Sequence, residues 1–138
     1  MHMQFDAEIP FAQAITGYGP DGIAIAGKWY GSSLLVGSNG LLLPWQVRDT
    51  QGQLAAVDLE EVLNEAAKAL AKPYELVVLG TGCRQIFPDS QWLSPFIARG
   101  LPLEVMSTPA ACRTYNIVAS EGRVVLAALW QGNDKAQP

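Results

Sequence analysis

The sequence is poorest in histidine. One, His2, stands near the N-terminus of 138 residues. A lone terminal imidazole cannot act as the base of a Ser-His-Asp or Cys-His arrangement. The same scarcity removes most zinc and iron sites, which draw on several His or Cys ligands. Cysteine is nearly as scarce: Cys83 and Cys112 are too few and too far apart for a disulfide framework or a zinc cluster. Free thiols suit a reducing compartment. Positive charge is also thin. Nine Lys and Arg against 13 Asp and Glu leave a formal charge of -4, which repels phosphate backbones, so no nucleic-acid partner is expected. No apolar run reaches the ~20 residues of a membrane-spanning helix. The N-terminus has neither the basic and apolar regions of a secretory signal nor the Arg-rich pattern of a mitochondrial presequence. A cytoplasmic protein without metal or cofactor is the expectation.

Apolar residues make up 49% of the chain and charged residues 16%, a globular composition. The length fits a single α/β domain over residues 1–131, followed by a polar tail, 132–138. Met3, Phe5, Ala7 and Ile9 alternate with polar residues as an extended segment does. Pro20-Asp21-Gly22 reads as a turn, with Ile23 and Ile25 marking a strand after it. Strands near 32–37 and 41–45 flank Asn39-Gly40, a hairpin signal. Residues 58–71 predict a helix, with Asp58 as cap, Glu61 completing a capping box and Pro73 beyond the end. The run 75–79 predicts a buried strand broken by Gly80-Thr81-Gly82. A helix follows over 90–99, with Pro95 awkward inside it, then a strand over 103–106. Thr108 is read as the cap of a helix with Pro109 at its first position, running to Ser120 and stopped by Gly122. Residues 123–129 predict a last strand. Strands alternating with helices imply a sheet covered by helices.

The segment Gly80-Thr81-Gly82-Cys83-Arg84 is the first candidate site. Glycines after a strand let backbone amides approach an anion, and Arg84 offers a fork of donors. The segment is neither a dinucleotide fingerprint nor a P-loop; the plainer reading is a tight turn with a solvated Arg. The start of the Thr108 helix is the second candidate, with plain capping as its alternative. If the strands before Gly80 and Thr108 are parallel neighbours, both loops open on one edge and could share a pocket. Cys83 beside Arg84 could be a reactive thiolate, although no base accompanies it; Cys112 reads as a packed helix-face residue. Glu104 and Glu121 are carboxylates with Arg113 and Arg123 as available ion-pair partners. Thr114-Tyr115-Asn116 places three polar side chains inside the last helix, and any buried ones need hydrogen-bond partners.

Together these residues resemble one family. They are Leu79-Gly80-Thr81-Gly82, Pro88, Glu104, Thr108, Ala111-Cys112-Arg113-Thr114-Tyr115-Asn116 and Glu121-Gly122-Arg123-Val124-Val125, with Gly17-Tyr18-Gly19, Tyr30 and Trp45. The family is that of small uncharacterised proteins that includes mitochondrial respiratory complex I assembly factor 3 and bacterial relatives. Pro109 departs from it, standing where a small residue is expected. The resemblance implies one compact α/β domain, with a central mixed sheet, helices and an additional β layer. It also implies a last strand antiparallel to its neighbours. It brings no catalytic residues. It marks Glu104, Arg113, Thr114, Tyr115, Asn116, Glu121 and Arg123 as residues of a site or of the scaffold, and it implies protein partners.

Two functions remain in view. The first is a non-enzymatic partner-binding or assembly protein. The second is a binder of a small anion (phosphate, nucleotide or carboxylate), weakly enzymatic at most, with Gly80, Thr81, Gly82, Arg84 and Thr108 around its pocket.

Overall fold

A computed structural model describes residues 3–4, 13–47, 54–69, 71–84, 86 and 89–131. The extended reading of Met3–Ile9 is seen only at β1 (Met3–Gln4); the rest of it, Leu70, Pro88 and the tail lie outside the described residues.

The first third is strand after strand. β2 (Ile15–Gly19), β3 (Gly22–Ile25) and β4 (Lys28–Tyr30) form an antiparallel sheet, with β1 pairing along β2. Of β2, β3 and β4, sequence pattern singles out only β3. β2 reads Ile-Thr-Gly-Tyr-Gly, and two glycines dilute its alternation; β4 is three residues long. β5 (Leu34–Gly37) and β6 (Leu42–Pro44) make the hairpin expected around Asn39-Gly40.

α1 (Ala56–Ala67) starts two residues before the expected position. Asp58 is its third residue, not its cap: its carboxylate reaches back to accept the Ala55 N–H at 2.9 Å, while the Asp58 N–H donates to Ala55 O. The pattern located the acid but assigned it the wrong end of the reciprocal bond. β7 (Leu76–Thr81) runs through the glycine expected to break it. It is held on both sides, by β8 (Leu103–Met106) and β9 (Val125–Trp130), both parallel to it. α2 (Ser90–Ala98) is capped by Asp89 and tolerates Pro95 on an exposed turn. α3 (Thr108–Ser120) is capped by Ser107, whose Oγ accepts the Ala110 N–H at 3.3 Å. Thr108 is therefore its first residue and Pro109 its second, which leaves the Thr108 hydroxyl for other work.

The larger sheet has the order β6-β5-β9-β7-β8. The last strand sits at its centre, antiparallel to β5 but parallel to β7. The expectation of a strand antiparallel to both neighbours is corrected here. The α3 crossover from β8 returns the chain beside β7 in the direction β7 already has, as βαβ connections do.

Period-two alternation sorts this sheet between two cores. Val78, Ala127 and Leu129 face α3 and the smaller sheet, whose Ile15, Ile23 and Ile25 complete that core. Val77, Leu126 and Ala128 face the other way, against Leu59, Val62 and Phe96 of α1 and α2. The fold is one α/β domain with an additional β layer, as expected.

Candidate functional site

β7 and β8 are parallel neighbours with Gly80 opposite Met106. The chain therefore leaves both at one edge of the sheet, and Gly80–Arg84 meets the start of α3. The condition for a shared site is met. What forms there is a latch. The Gly82 N–H donates to Thr108 Oγ1 at 2.8 Å, and the Thr108 N–H donates back to Gly82 O at 2.7 Å. Thr108 Oγ1 gives its own proton to Trp130 O at 2.6 Å. One buried hydroxyl thus ties the ends of β7 and β9 to the first turn of α3. Gly80 is required beneath it, since a Cβ there would lie 2.8 Å from both Thr108 Cα and Oγ1. Thr81 Oγ1 accepts the Ile86 N–H at 3.2 Å and lies 2.8 Å from Arg84 O and 3.1 Å from Met106 O. Cys83 and Arg84 are exposed at this edge.

The Arg113–Asn116 segment forms a clasp 101 residues away in sequence from its target. The Asn116 side chain grips both backbone groups of Ile15: Oδ1 accepts the N–H at 3.0 Å and Nδ2 donates to the carbonyl at 2.7 Å. Tyr115 Oη donates to Gln13 O at 2.9 Å, and Arg113 donates to Tyr18 Oη at 3.0 Å. These bonds fasten the smaller sheet to α3. Burial pushes the Tyr115 hydroxyl's pKa upward, with Tyr74 adding to the rise. Burial also pushes the Cys112 thiol up to about 12 against a lowering by Arg113, so Cys112 is a protonated packing residue at neutral pH. Thr114 is half-buried on the same helix.

The remaining candidates scatter. Glu104 is exposed on β8, an edge strand, and Glu121 is exposed at the C-terminal end of α3. Neither is the carboxylate that Arg123 meets. That is Glu75, with Nε 3.6 Å from Oε1, while Glu75 Oε2 accepts the Val124 N–H at 2.9 Å. This pair closes the opposite ends of β7 and β9 from the latch. Among the described residues no three His, Cys, Asp or Glu gather as a metal site, and no helix is long and apolar enough to cross a membrane.

Three hollows lie on the other face, along α1. A hollow of about 280 Å³ between α1 and α2 is walled by Leu59, Leu63, Trp92, Pro95 and Phe96, with Glu60 at its rim. A second, of about 260 Å³, continues from Leu63 past Ala66 and Ala67 to Leu101 and Arg99. A third, of about 580 Å³ and acidic, shares Glu60 with the first and adds Asp58 and Glu61. Tyr74 edges the second hollow and donates to Asn39 Oδ1 at 3.0 Å. Its pKa is raised by burial, and further by Glu65, against the lowering effect of the Asn39 bond. None of these cleft residues is marked as a site by the sequence, which offers Asp58 and Glu61 only as a helix cap and Pro95 only as an irregularity of a helix. The available signal was the apolar stripe of α1, which continues through Ala66 beyond the core residues Leu59, Val62 and Leu63.

A family model described as a protein of unknown function (DUF498/DUF598) matches residues 15–130. Mouse NADH dehydrogenase (ubiquinone) 1 alpha subcomplex assembly factor 3 is 33% identical over 124 residues, 89% of this chain and 63% of that protein. The chain thus spans less than two-thirds of that relative's length. An uncharacterised protein of Rhodobacter capsulatus is 35% identical over 118 residues, 86% of this chain and 84% of that protein. The crystal structure of a Bordetella parapertussis protein superposes with a TM-score of 0.73 at 30% identity, covering 87% of this chain and 96% of that one.

Proposed function

Since the chain belongs to the DUF498/DUF598 family of proteins of unknown function, homologous to complex I assembly factor 3, we propose that it is a non-catalytic partner-binding protein that acts as an assembly factor does. One observation carries the reading. The buried polar groups of the motif residues are spent on the chain's own backbone: Thr81 on the turn, Thr108 on Gly82 and Trp130, Asn116 on Ile15 and Tyr115 on Gln13. A catalytic group must turn a donor, acceptor or nucleophile toward substrate, and these are committed elsewhere. The motif then serves a rigid scaffold, and the surface is left for proteins. The cytoplasm is the proposed location.

A second reading, an anion held near Arg84, is favoured by the meeting of the Gly82 and Thr108 loops beside that exposed side chain. It ranks second because the amides of Gly82, Thr108 and Ala110 already have acceptors within the protein.

The test is cross-linking of the tagged full chain in its host, followed by native mass measurement, beside a thermal-shift screen with phosphates, nucleotides and small carboxylates. A defined complex with another protein, and no shift from the panel, is the expected result. A lone chain whose melting temperature rises with one of these anions, but not in Arg84→Ala, would replace the first reading with the second; a ligand at ~100 times its Kd adds about 2.7 kcal/mol.

A further inference from the structure

Building on the partner-binding reading, we propose that the cleft between α1 and α2 receives an amphipathic helix of a partner protein. That helix is apolar on its buried face, basic at the end over Glu60 and acidic at the end over Arg99. The two apolar hollows are one feature, because both are lined by Leu63. The first takes the early residues of both helices, Ala56 with Gln91, and the second takes their late residues, Ala67 with Arg99. α1 and α2 therefore run the same way along a continuous trough. α1 from Ala56 to Ala67 is about 16 Å long at ~1.5 Å per residue, enough for three turns of a guest helix. The floor is closed: Leu59 and Phe96 are 2% and 1% exposed and belong to the core below. The walls include Ala66 and Ala67, whose small side chains allow a close approach, and Trp92, an aromatic that anchors well. Such a groove fits a helix that lays down residues spaced i, i+3, i+4 and i+7.

Charge decides the occupant and its direction. At one end, exposed Glu60 joins the trough to the hollow that also holds Asp58 and Glu61. At the other, Arg99 is exposed at the last turn of α2, and among the described residues no carboxylate or carbonyl meets its guanidinium. The ends of the trough thus have opposite sign. A uniformly charged or wholly apolar segment would mismatch one of them, and like charges facing each other across an interface cost affinity.

The experiment places a photo-reactive benzoylphenylalanine at Gln91, at Ala67 or, as a control, at Glu104 on the β8 edge of the full chain in its host. Cross-linked peptides are identified by mass spectrometry. Gln91 and Ala67 are expected to capture one segment with helical apolar spacing, its basic residues joined near Gln91 and its acidic residues near Ala67. Glu60→Lys with Arg99→Glu is expected to lower that capture about tenfold, with an unchanged melting temperature because both side chains are exposed. Capture at Glu104 alone, capture of a second copy of this chain, a segment lacking the charge order, or indifference to the charge swap would overturn the cleft assignment. A partner captured only at Glu104 would leave the partner-binding reading standing. No capture at any position would overturn both.

Discussion

Thr108 shows how much a single hydroxyl can hold. It accepts from Gly82 and donates to Trp130, both bonds buried, so its one donor and one of its two lone pairs are engaged. Thr108→Val keeps the shape and strands one buried donor and one buried acceptor. Each such orphan costs about 1–3 kcal/mol, so Thr108→Val should lose about 2–4 kcal/mol in urea unfolding with an unchanged m-value, while Thr108→Ser loses far less. Cys112 gives a pH dependence. Burial pushes its thiol from an ordinary 9.0 up to about 12, so between these values the folded chain binds more protons than the unfolded chain. The sign follows: the stabilisation is full below pH 9 and falls as pH rises from 9 toward 12. Tyr115 and Tyr74, also raised, add to the fall above pH 10. Urea midpoints should therefore drop more steeply between pH 8.5 and 10.5 in the native chain than in Cys112→Ala.

At the scale of elements, the hairpin between β3 and β4 is built against the preference of one residue. Ile25 pairs with Lys28, so the loop is the two residues Ala26 and Gly27, with φ of 50° and 86°. This is a type I′ turn, which matches strand twist but needs two left-handed residues. Alanine holds that conformation at a cost that asparagine largely avoids. Ala26→Asn should raise stability by about 0.5–1 kcal/mol, read as a higher melting temperature. The same scale explains α1. Asp58 and the apolar spacing were legible because they are local, whereas the true start at Ala56 depends on where Leu54 and Trp45 enter the core and on the Trp45 indole donating to Asp58 O at 3.3 Å.

Across the whole molecule, the strand made last is the one most enclosed. Every residue of β9 is buried, and it has partners on both sides. Its amides, with those of β7, should exchange with solvent only on global unfolding, while α2, which buries Phe96 alone, should open earlier. Hydrogen exchange followed by mass spectrometry separates the two: slow β7 and β9 peptides beside faster α2 peptides are expected, and equal protection would show that the α1–α2 layer unfolds only with the sheet. A groove suited to docking belongs on that less protected layer, where few residues anchor the helix to the core.

The sequence by itself determined the α/β class, the order of the major elements and the hairpin at Asn39-Gly40. Periodicity, glycine and proline are local signals that act within a few residues. It also placed a chain break near Gly82 and a helix start near Thr108 after their strands, although β7 extends through Gly80 and Thr81, and the family resemblance marked Arg113–Asn116 as a unit. Only the tertiary structure decided that β9 lies parallel to β7, that the two loops close into a latch, and that Asn116 grips Ile15 from 101 residues away. It alone opened a trough of opposite end charges between α1 and α2. Strand direction, the target of a buried amide and the shape between two helices depend on which distant surfaces meet. That choice is made by burying both faces of one sheet at once, and no window of sequence contains it.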